Sequence, residues 1–402
     1  MDTIIDFDDS RTNEYTQHFG GDGNLTGSVA ATRQAMANIE AQTGIRTGVV
    51  YISLRDTAID LSVITAADAP LTVSIPVDRT TLLDTVATYR NSLINARYRL
   101  LGRHNDYAAQ LYDWLIRPIA SDLEARGIDT LMLSLDVGLR GLPIAALYDG
   151  EQYLVERYSL SLIPSMGLID TRYQPLSETA PMLAMGASEF TALSPLPAVP
   201  AELDTLVNHR RNGEIILNAD FTRRNIIAER DRTPYPIVHL ATHGEFNEGS
   251  LSNSYIQLWD ERIGLDNIRE LGWHDPPLEL LVLSACQTAL GNAEAEMGFA
   301  GLAVAAGVKT AIASLWYVDD AATFMLMSEL YHYLATAPIK AEALRSAQLA
   351  LMRGQVHITD GMLYADGIEE PIPLPASLSS VAGQDFSNPY YWSGFTAIGA
   401  PW

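Results

Sequence analysis

Residues 278–291 read LELLVLSACQTALG, an apolar run of leucine and valine that gives way to small and polar residues around Cys286. A short run of this kind, closed by turn residues, marks a strand buried on both faces of a parallel sheet. Residues 236–244, PIVHLATHG, repeat the pattern and run into His243 and Gly244. The spacing predicts strands at 236–241 and 278–284, and the same rhythm extends outward from them. Further strands are expected at 130–135, 158–163, 181–186, 214–218 and 309–315. Helices are expected at 199–212, 222–230, 298–307, 320–335 and 339–353. Strands alternating with helices predict an α/β fold with a mostly parallel, doubly covered sheet.

Upstream, residues 49–77 hold three β-rich runs (49–54, 58–64 and 71–77) that predict an antiparallel meander. Helices follow at 80–97 and 104–126, the second interrupted at Pro118. Residues 1–27 are polar, acidic and glycine-bearing, and read as a mobile arm or adaptor tail ahead of a helix at 28–43. The expected division is therefore an N-terminal arm and helix at 1–43, then one domain at 44–402. Within that domain, 44–126 supplies the meander and helices and 127–402 the core. Residues 357–388 lack periodicity and read as a long loop or insertion. Residues 390–402 read as an aromatic strand.

Composition narrows the function. Of 402 residues 48% are hydrophobic, enough for a large core and incompatible with wholesale disorder. The 49 acids against 26 lysines and arginines give a net charge of −23, which repels phosphate backbones and anionic membranes. Nucleic acid and membrane are thus not expected partners. Only Lys309 and Lys340 are lysines, which reads as a composition bias without functional weight. The single cysteine, Cys286, excludes an internal disulfide and a cysteine-based zinc site, and suits a reducing compartment. The acidic N-terminus, MDTIIDFDDS, lacks the pattern of a secretory signal, and no apolar run spans a bilayer. A cytoplasmic protein is the expectation. No phosphate-loop, dinucleotide, HExxH or EF-hand pattern occurs, so no cofactor or metal is expected.

Two side chains stand where ligands meet an open α/β sheet, beyond the carboxyl ends of strands: His243 and Cys286. Gly244 leaves its N–H uncrowded, as an oxyanion donor requires. His239, in mid-strand, reads as a core histidine. A cysteine at a strand end near a turn is placed for reactivity, although free cysteines also serve as small packing residues. The matching strand-end histidine favours a nucleophile–base pair over packing.

At these segments the sequence resembles the CHAT family of caspase-like cysteine peptidases, relatives of caspases, separases and gingipains. HLATHG (239–244) and LVLSACQTALG (281–291) are similar to the family's histidine and cysteine motifs. Residues 298–307, SLWYVDDAAT at 314–323 and the ending from Asn388 to Trp402 are family-like as well, so the resemblance covers roughly residues 48–402. It implies a caspase-like three-layer α/β/α sandwich carrying the N-terminal meander and helical extension. It implies Cys286 as nucleophile and His243 as base, 43 residues apart. The N–H groups of Gly244 and Cys286 would form the oxyanion hole, and no third carboxylate is demanded.

Residues 131–143, LMLSLDVGLRGLP, resemble the family's PDGxLxxLP segment, with Leu135 in place of proline and Val137 in place of glycine. By analogy with arginine-specific relatives, Asp136, Asp319 and Asp320 are candidates to floor a pocket for arginine or lysine before the scissile bond. Asp319 and Asp320 also suit a helix N-cap. Glu294 and Glu296 are expected to face solvent. Trp392, Trp402, Tyr331 and Tyr333 read as packing or rim residues, and Arg210-Arg211 and Arg223-Arg224 as candidate self-cleavage points. The implied function is a regulated cysteine endopeptidase acting on a protein or peptide substrate, with a separate sensor or activator protein as a possible partner. The competing reading is a catalytically silent scaffold that binds partners, and retention of Cys286 and His243 weighs against it. A thiol acyltransferase or esterase lacks its nucleophile elbow here.

Overall fold

The computed structural model describes residues 2–19, 29–99, 102–288, 292–375, 378 and 384–402; the side chains of residues 2–6, 29, 285, 286 and 288 lie outside that description. The valine-, isoleucine- and leucine-rich runs become β1 (Thr47–Leu54), β2 (Ile59–Thr65), β3 (Leu71–Ile75), β4 (Thr130–Leu135), β5 (Ser159–Leu162), β6 (Met182–Gly186), β7 (Gly213–Leu217) and β8 (Ile237–Phe246). After them come β9 (Tyr255–Gln257), β10 (Arg262–Gly264), β11 (Leu280–Thr288), β12 (Thr310–Ser314), β13 (His357–Thr359), β14 (Met362–Tyr364), β15 (Ile372–Pro373) and β16 (Phe395–Gly399).

The helices are α1 (Asp2–Phe19), α2 (Val29–Thr43), α3 (Arg79–Ile94), α4 (Ala96–Arg99), α5 (His104–Leu115), α6 (Arg117–Ala125) and α7 (Leu154–Arg157). The later ones are α8 (Val199–Thr205), α9 (Arg223–Arg232), α10 (Ala293–Ala300), α11 (Leu302–Ala306), α12 (Asp320–Tyr333) and α13 (Lys340–Met352). Pro118 sits in the first turn of α6, where its missing N–H goes unused, so the helical run breaks at Ile116.

One large sheet runs β3-β2-β1-β4-β5-β16-β12-β11-β8. Along its first half β8 pairs with β6, which pairs with β7; at its end β8 pairs with β9 and then β10. Strands β4, β6 and β12 are buried at every position, so helices cover both faces of the sheet, as the unalternating runs predict. The fold is an α/β sandwich around a mostly parallel sheet.

The strands form two parallel blocks that point in opposite directions. β1, β4, β5 and β16 are parallel to one another, as are β7, β6, β8, β11 and β12. The two blocks meet antiparallel at β12 and β16. The carboxyl ends of β4 and β5 therefore lie at the edge opposite to those of β8 and β11.

Three expectations change. Residues 2–19 form a docked helix: Asp8 accepts from the Tyr51 hydroxyl and the Met166 N–H, both at 2.7 Å, and Tyr15 is buried. Fixed polar partners outweigh the helix's acidic, glycine-flanked sequence. Within 357–388, the sequence folds back as the small antiparallel sheet β13-β14-β15, whose two- and three-residue strands are too short to show a period. β8 and β11 run on to Phe246 and Thr288, past the ends expected at 241 and 284, because β9 supplies β8 with a further partner.

Candidate active site

β8 and β11 lie side by side and parallel, Leu283 opposite Leu240. Beyond that pair β8 takes three steps, to His243, while β11 takes two, to Ala285. This bulge sets His243 opposite Ala285 and Gly244 opposite Cys286. A bulge re-aims the side chains that follow it, and such irregularities gather beside active sites. His243 and Cys286 thus sit on neighbouring strands one register step apart, which at ordinary strand spacing puts their Cα atoms roughly 6 Å apart. Gly244 is held between two strands, Cys286 on one side and Ile256 of β9 on the other.

The half-buried imidazole of His243 is held by the loop after β6. Its Nε2 lies 2.8 Å from the Ser194 carbonyl oxygen, and its ring centroid is 4.8 Å from that of Phe190. A carbonyl only accepts, so Nε2 carries the hydrogen and the lone pair of the neutral ring is on Nδ1. His239, four residues earlier, is fully buried; its ring nitrogens meet Glu202 of α8 at 2.9 Å and the Tyr331 hydroxyl of α12 at 3.1 Å. It is a core histidine.

A small cavity of about 20 Å³, room for roughly one water, lies between Leu196, Val199, Glu202, Ser284, Tyr317 and Asp320. It is far smaller than clefts that hold drug-sized ligands, about 300–1,000 Å³, so a long side chain enters only if the walls move apart. Asp320 accepts from the Tyr317 hydroxyl. Burial raises its carboxyl above the usual range, with Asp319 and Glu202 adding to the effect, while the Tyr317 hydroxyl and His243 draw it back. The pocket wall is therefore acidic and short of cations.

The three predicted pocket acids are not brought together. Asp320 lines the cavity. Asp319 is the N-cap of α12, accepting from the N–H groups of Ala321 and Ala322 at 3.0 and 3.2 Å. Asp136 follows β4 at the opposite edge of the sheet, away from His243. It accepts from Leu54 N at 2.8 Å and Val137 N at 2.7 Å and pairs with Arg11 at 3.0 Å. Sequence reasoning missed Glu202. The signal available was a buried mid-strand histidine in need of an acceptor.

Other placements differ from expectation as well. Glu294 is exposed, accepting from Gly249 N at 2.8 Å, but Glu296 is buried against Arg90 at 2.6 Å. Arg210 is buried against Glu329, and Arg211 donates to the Ser177 and Ala180 carbonyls, so that pair is no exposed loop. Arg223 is held by Glu261 and Glu270.

A profile described as CHAT domain matches residues 105–400. No curated protein matches the chain. Among solved structures, two of the separase–securin complex from Saccharomyces cerevisiae resemble it with TM-scores of 0.55 and 0.53, at 10% and 9% identity. Each likeness covers 99% of this chain and 33% of the other, so the chain spans about a third of the length of the separase entries it matches. The complex of the pro- and mature domains of RgpB from Porphyromonas gingivalis is matched at a TM-score of 0.40 and 11% identity, over 80% of this chain and 75% of that one. At such identities the likeness to separase is one of fold.

Proposed function

The chain belongs to the CHAT domain family, and we propose that it is a cysteine endopeptidase with Cys286 as nucleophile and His243 as general base. The observation that carries the reading is the register of β8 and β11, which sets Cys286 opposite Gly244 and one step from His243. The Ser194 carbonyl holds Nε2–H of His243, leaving Nδ1 to take the thiol proton. Cys286 Sγ attacks the scissile carbonyl, and the N–H groups of Gly244 and Cys286 face the developing oxyanion. Collapse expels the amine, which takes the proton from His243. Water, deprotonated by the same ring, then hydrolyses the thioester. A fixed carbonyl does the orienting that other enzymes assign to a third carboxylate.

The pocket favours arginine or lysine before the scissile bond. Asp320 and Glu202 offer carboxylates in a partly desolvated slot, where pairing with a guanidinium is strong and an acidic side chain is excluded. Asp319 supports this indirectly, by capping α12 and so fixing Asp320. Asp136 has no part in it.

Among the described residues no helix is long and apolar enough to cross a membrane. With one cysteine and no need of a disulfide, the cytoplasm is the setting we propose, and a separate sensor or activator protein the form of control.

Purified wild type and Cys286→Ala, each incubated with a proteome followed by mapping of new N-termini, test the reading. Wild type is expected to generate cuts after arginine or lysine that the variant does not. Identical N-termini from the two proteins would establish the scaffold reading instead, and cuts after aspartate would remove the acidic pocket.

A further inference from the structure

The antiparallel meeting of β12 and β16 gives the sheet a second carboxyl edge, at β1, β4 and β5, remote from His243. The crevice outside the carboxyl ends of parallel strands is where open α/β sheets take ligands. Here α1 fills it.

The contacts are those of a ligand in a built site. The Asp8 carboxylate accepts from Met166 N at 2.7 Å, Gly167 N at 3.3 Å and the Tyr51 hydroxyl at 2.7 Å. Arg11 pairs with Asp136 at 3.0 Å, and the Thr12 hydroxyl meets that of Ser165 at 2.6 Å. Glu14 takes the guanidinium of Arg140 at 2.6 Å, a side chain only 1% exposed. Two N–H groups, one buried cation and one carboxylate thus meet an acid, a second acid and a base on α1. Among the described side chains of α1, Phe7, Tyr15 and Phe19 add apolar contact. A helix that carries five acids and one arginine and is tied down by polar matches at Asp8, Arg11, Thr12 and Glu14 is poorly explained as a piece of core alone.

The far end of α1 touches the catalytic block. Phe19 packs on the α10–α11 junction so closely that any side chain at Gly301 would overlap its ring. His18 feels the charge of Glu294, and Tyr15 that of Glu296, both on α10. α10 begins six residues after Cys286, at the Asn292 cap.

We propose that the crevice at the carboxyl edge of β1, β4 and β5 is a receptor for a short acidic helix, occupied in cis by α1, and that its occupancy supports α10 and through it the segment that carries Cys286. The partner class is a helix presenting an acid, a base three residues on and a second acid three residues after that. This deepens the peptidase reading by giving it a point of control, but the binding half stands without catalysis.

The test uses the full chain with a specific protease site placed within residues 21–26, cut after folding and freed of the 2–19 fragment by gel filtration. Fluorescein-labelled peptide 2–19 is expected to rebind saturably. Asp8→Asn or Arg11→Glu in the peptide, or Arg140→Ala in the receptor, should weaken binding about tenfold or more, the scale of a lost charge-assisted hydrogen bond. Removal of the fragment should lower kcat on an arginyl peptide several-fold with KM little changed, and added peptide should restore it. A fragment that never leaves the cut chain, a cut chain that unfolds, or rebinding indifferent to those substitutions would overturn the receptor. Rebinding with kcat unchanged would overturn the coupling to α10. An uncut chain inactive on every peptide would count against the peptidase reading and leave the binding result standing.

Discussion

Replacing Glu296 with alanine should destabilise the fold far more than its place in the sequence suggests. Arg90 Nη1 lies 2.6 Å from Glu296 Oε1, and the two side chains are 9% and 0% exposed. At an effective dielectric constant near 20, unit charges 4 Å apart attract by about 4 kcal/mol, most of which offsets their loss of water. Alanine removes the attraction and leaves the arginine's desolvation uncompensated, so a loss of about 3–5 kcal/mol follows. With a urea m-value of about 3 kcal/mol/M, the upper end for small proteins and a floor for a larger one, the midpoint should fall by up to about 1–1.7 M. Changing both partners to methionine removes the charges together and should recover most of the loss. Equilibrium urea unfolding of wild type, both single variants and the double variant reads all of this. A Glu296→Ala midpoint within about 0.3 M of wild type would refute the reasoning, since only a solvated carboxylate is so easily dispensed with.

Asp320→Asn keeps the shape of the pocket and removes its charge; kcat/KM on arginyl peptides should fall about 10- to 100-fold, with thiol labelling of Cys286 retained as the check that the site is intact. Glu329 is buried against Arg210 at 3.2 Å, and burial pushes its carboxyl up to about 7 from 4.5, Arg210 opposing and Asp366 adding. Its raised value means a contribution present below about 4.5 and lost as pH rises through about 7, worth at most about 3 kcal/mol. Glu329→Gln should therefore flatten the decline in urea stability between pH 5 and 8, and parallel profiles for the two proteins would show the carboxylate to be solvated.

The central strands were legible because short apolar runs such as LVLS and HLAT are closed by turn residues, which favours a doubly covered strand over a longer buried helix. Direction was not legible. Asp136 joined the pocket candidates by analogy with arginine-specific relatives, an analogy that holds only if β4 ends at the same edge as β8 and β11. β16 reverses that by returning antiparallel after the excursion through β13–β15, a choice made by packing rather than by any local residue. β9 and β10, three residues each, fall below the length at which alternation can be read. Glu202 and Glu296 were lost for a common reason. An acid is read as exposed unless its partner is known, and here the partners are His239 and Arg90, distant in sequence and adjacent in space.

The scarcity of lysine has a structural reading that composition alone did not supply. Both lysines point at one carboxylate: Lys309 Nζ lies 2.6 Å and Lys340 Nζ 3.5 Å from Glu279, and Lys340 also donates to the Trp402 main-chain oxygen. Burial pushes the Lys340 ammonium down to about 8, with Lys309 adding and Glu279 opposing. Glu279 precedes β11, Lys309 precedes β12 and Trp402 follows β16, so the cluster sits on the seam where the two blocks of strands reverse. Two cations must share one carboxylate in a closed space there. A compact ammonium with three rotatable donors can do so, whereas a planar guanidinium needs a fork of acceptors in its own plane. Arginine serves elsewhere, at the surface and in buried pairs such as Arg90 with Glu296 and Arg210 with Glu329, and not at this seam. The two exceptions to the chain's preference thus mark the line along which the sheet changes direction, and that change separates the edge bearing His243 and Cys286 from the edge that α1 fills.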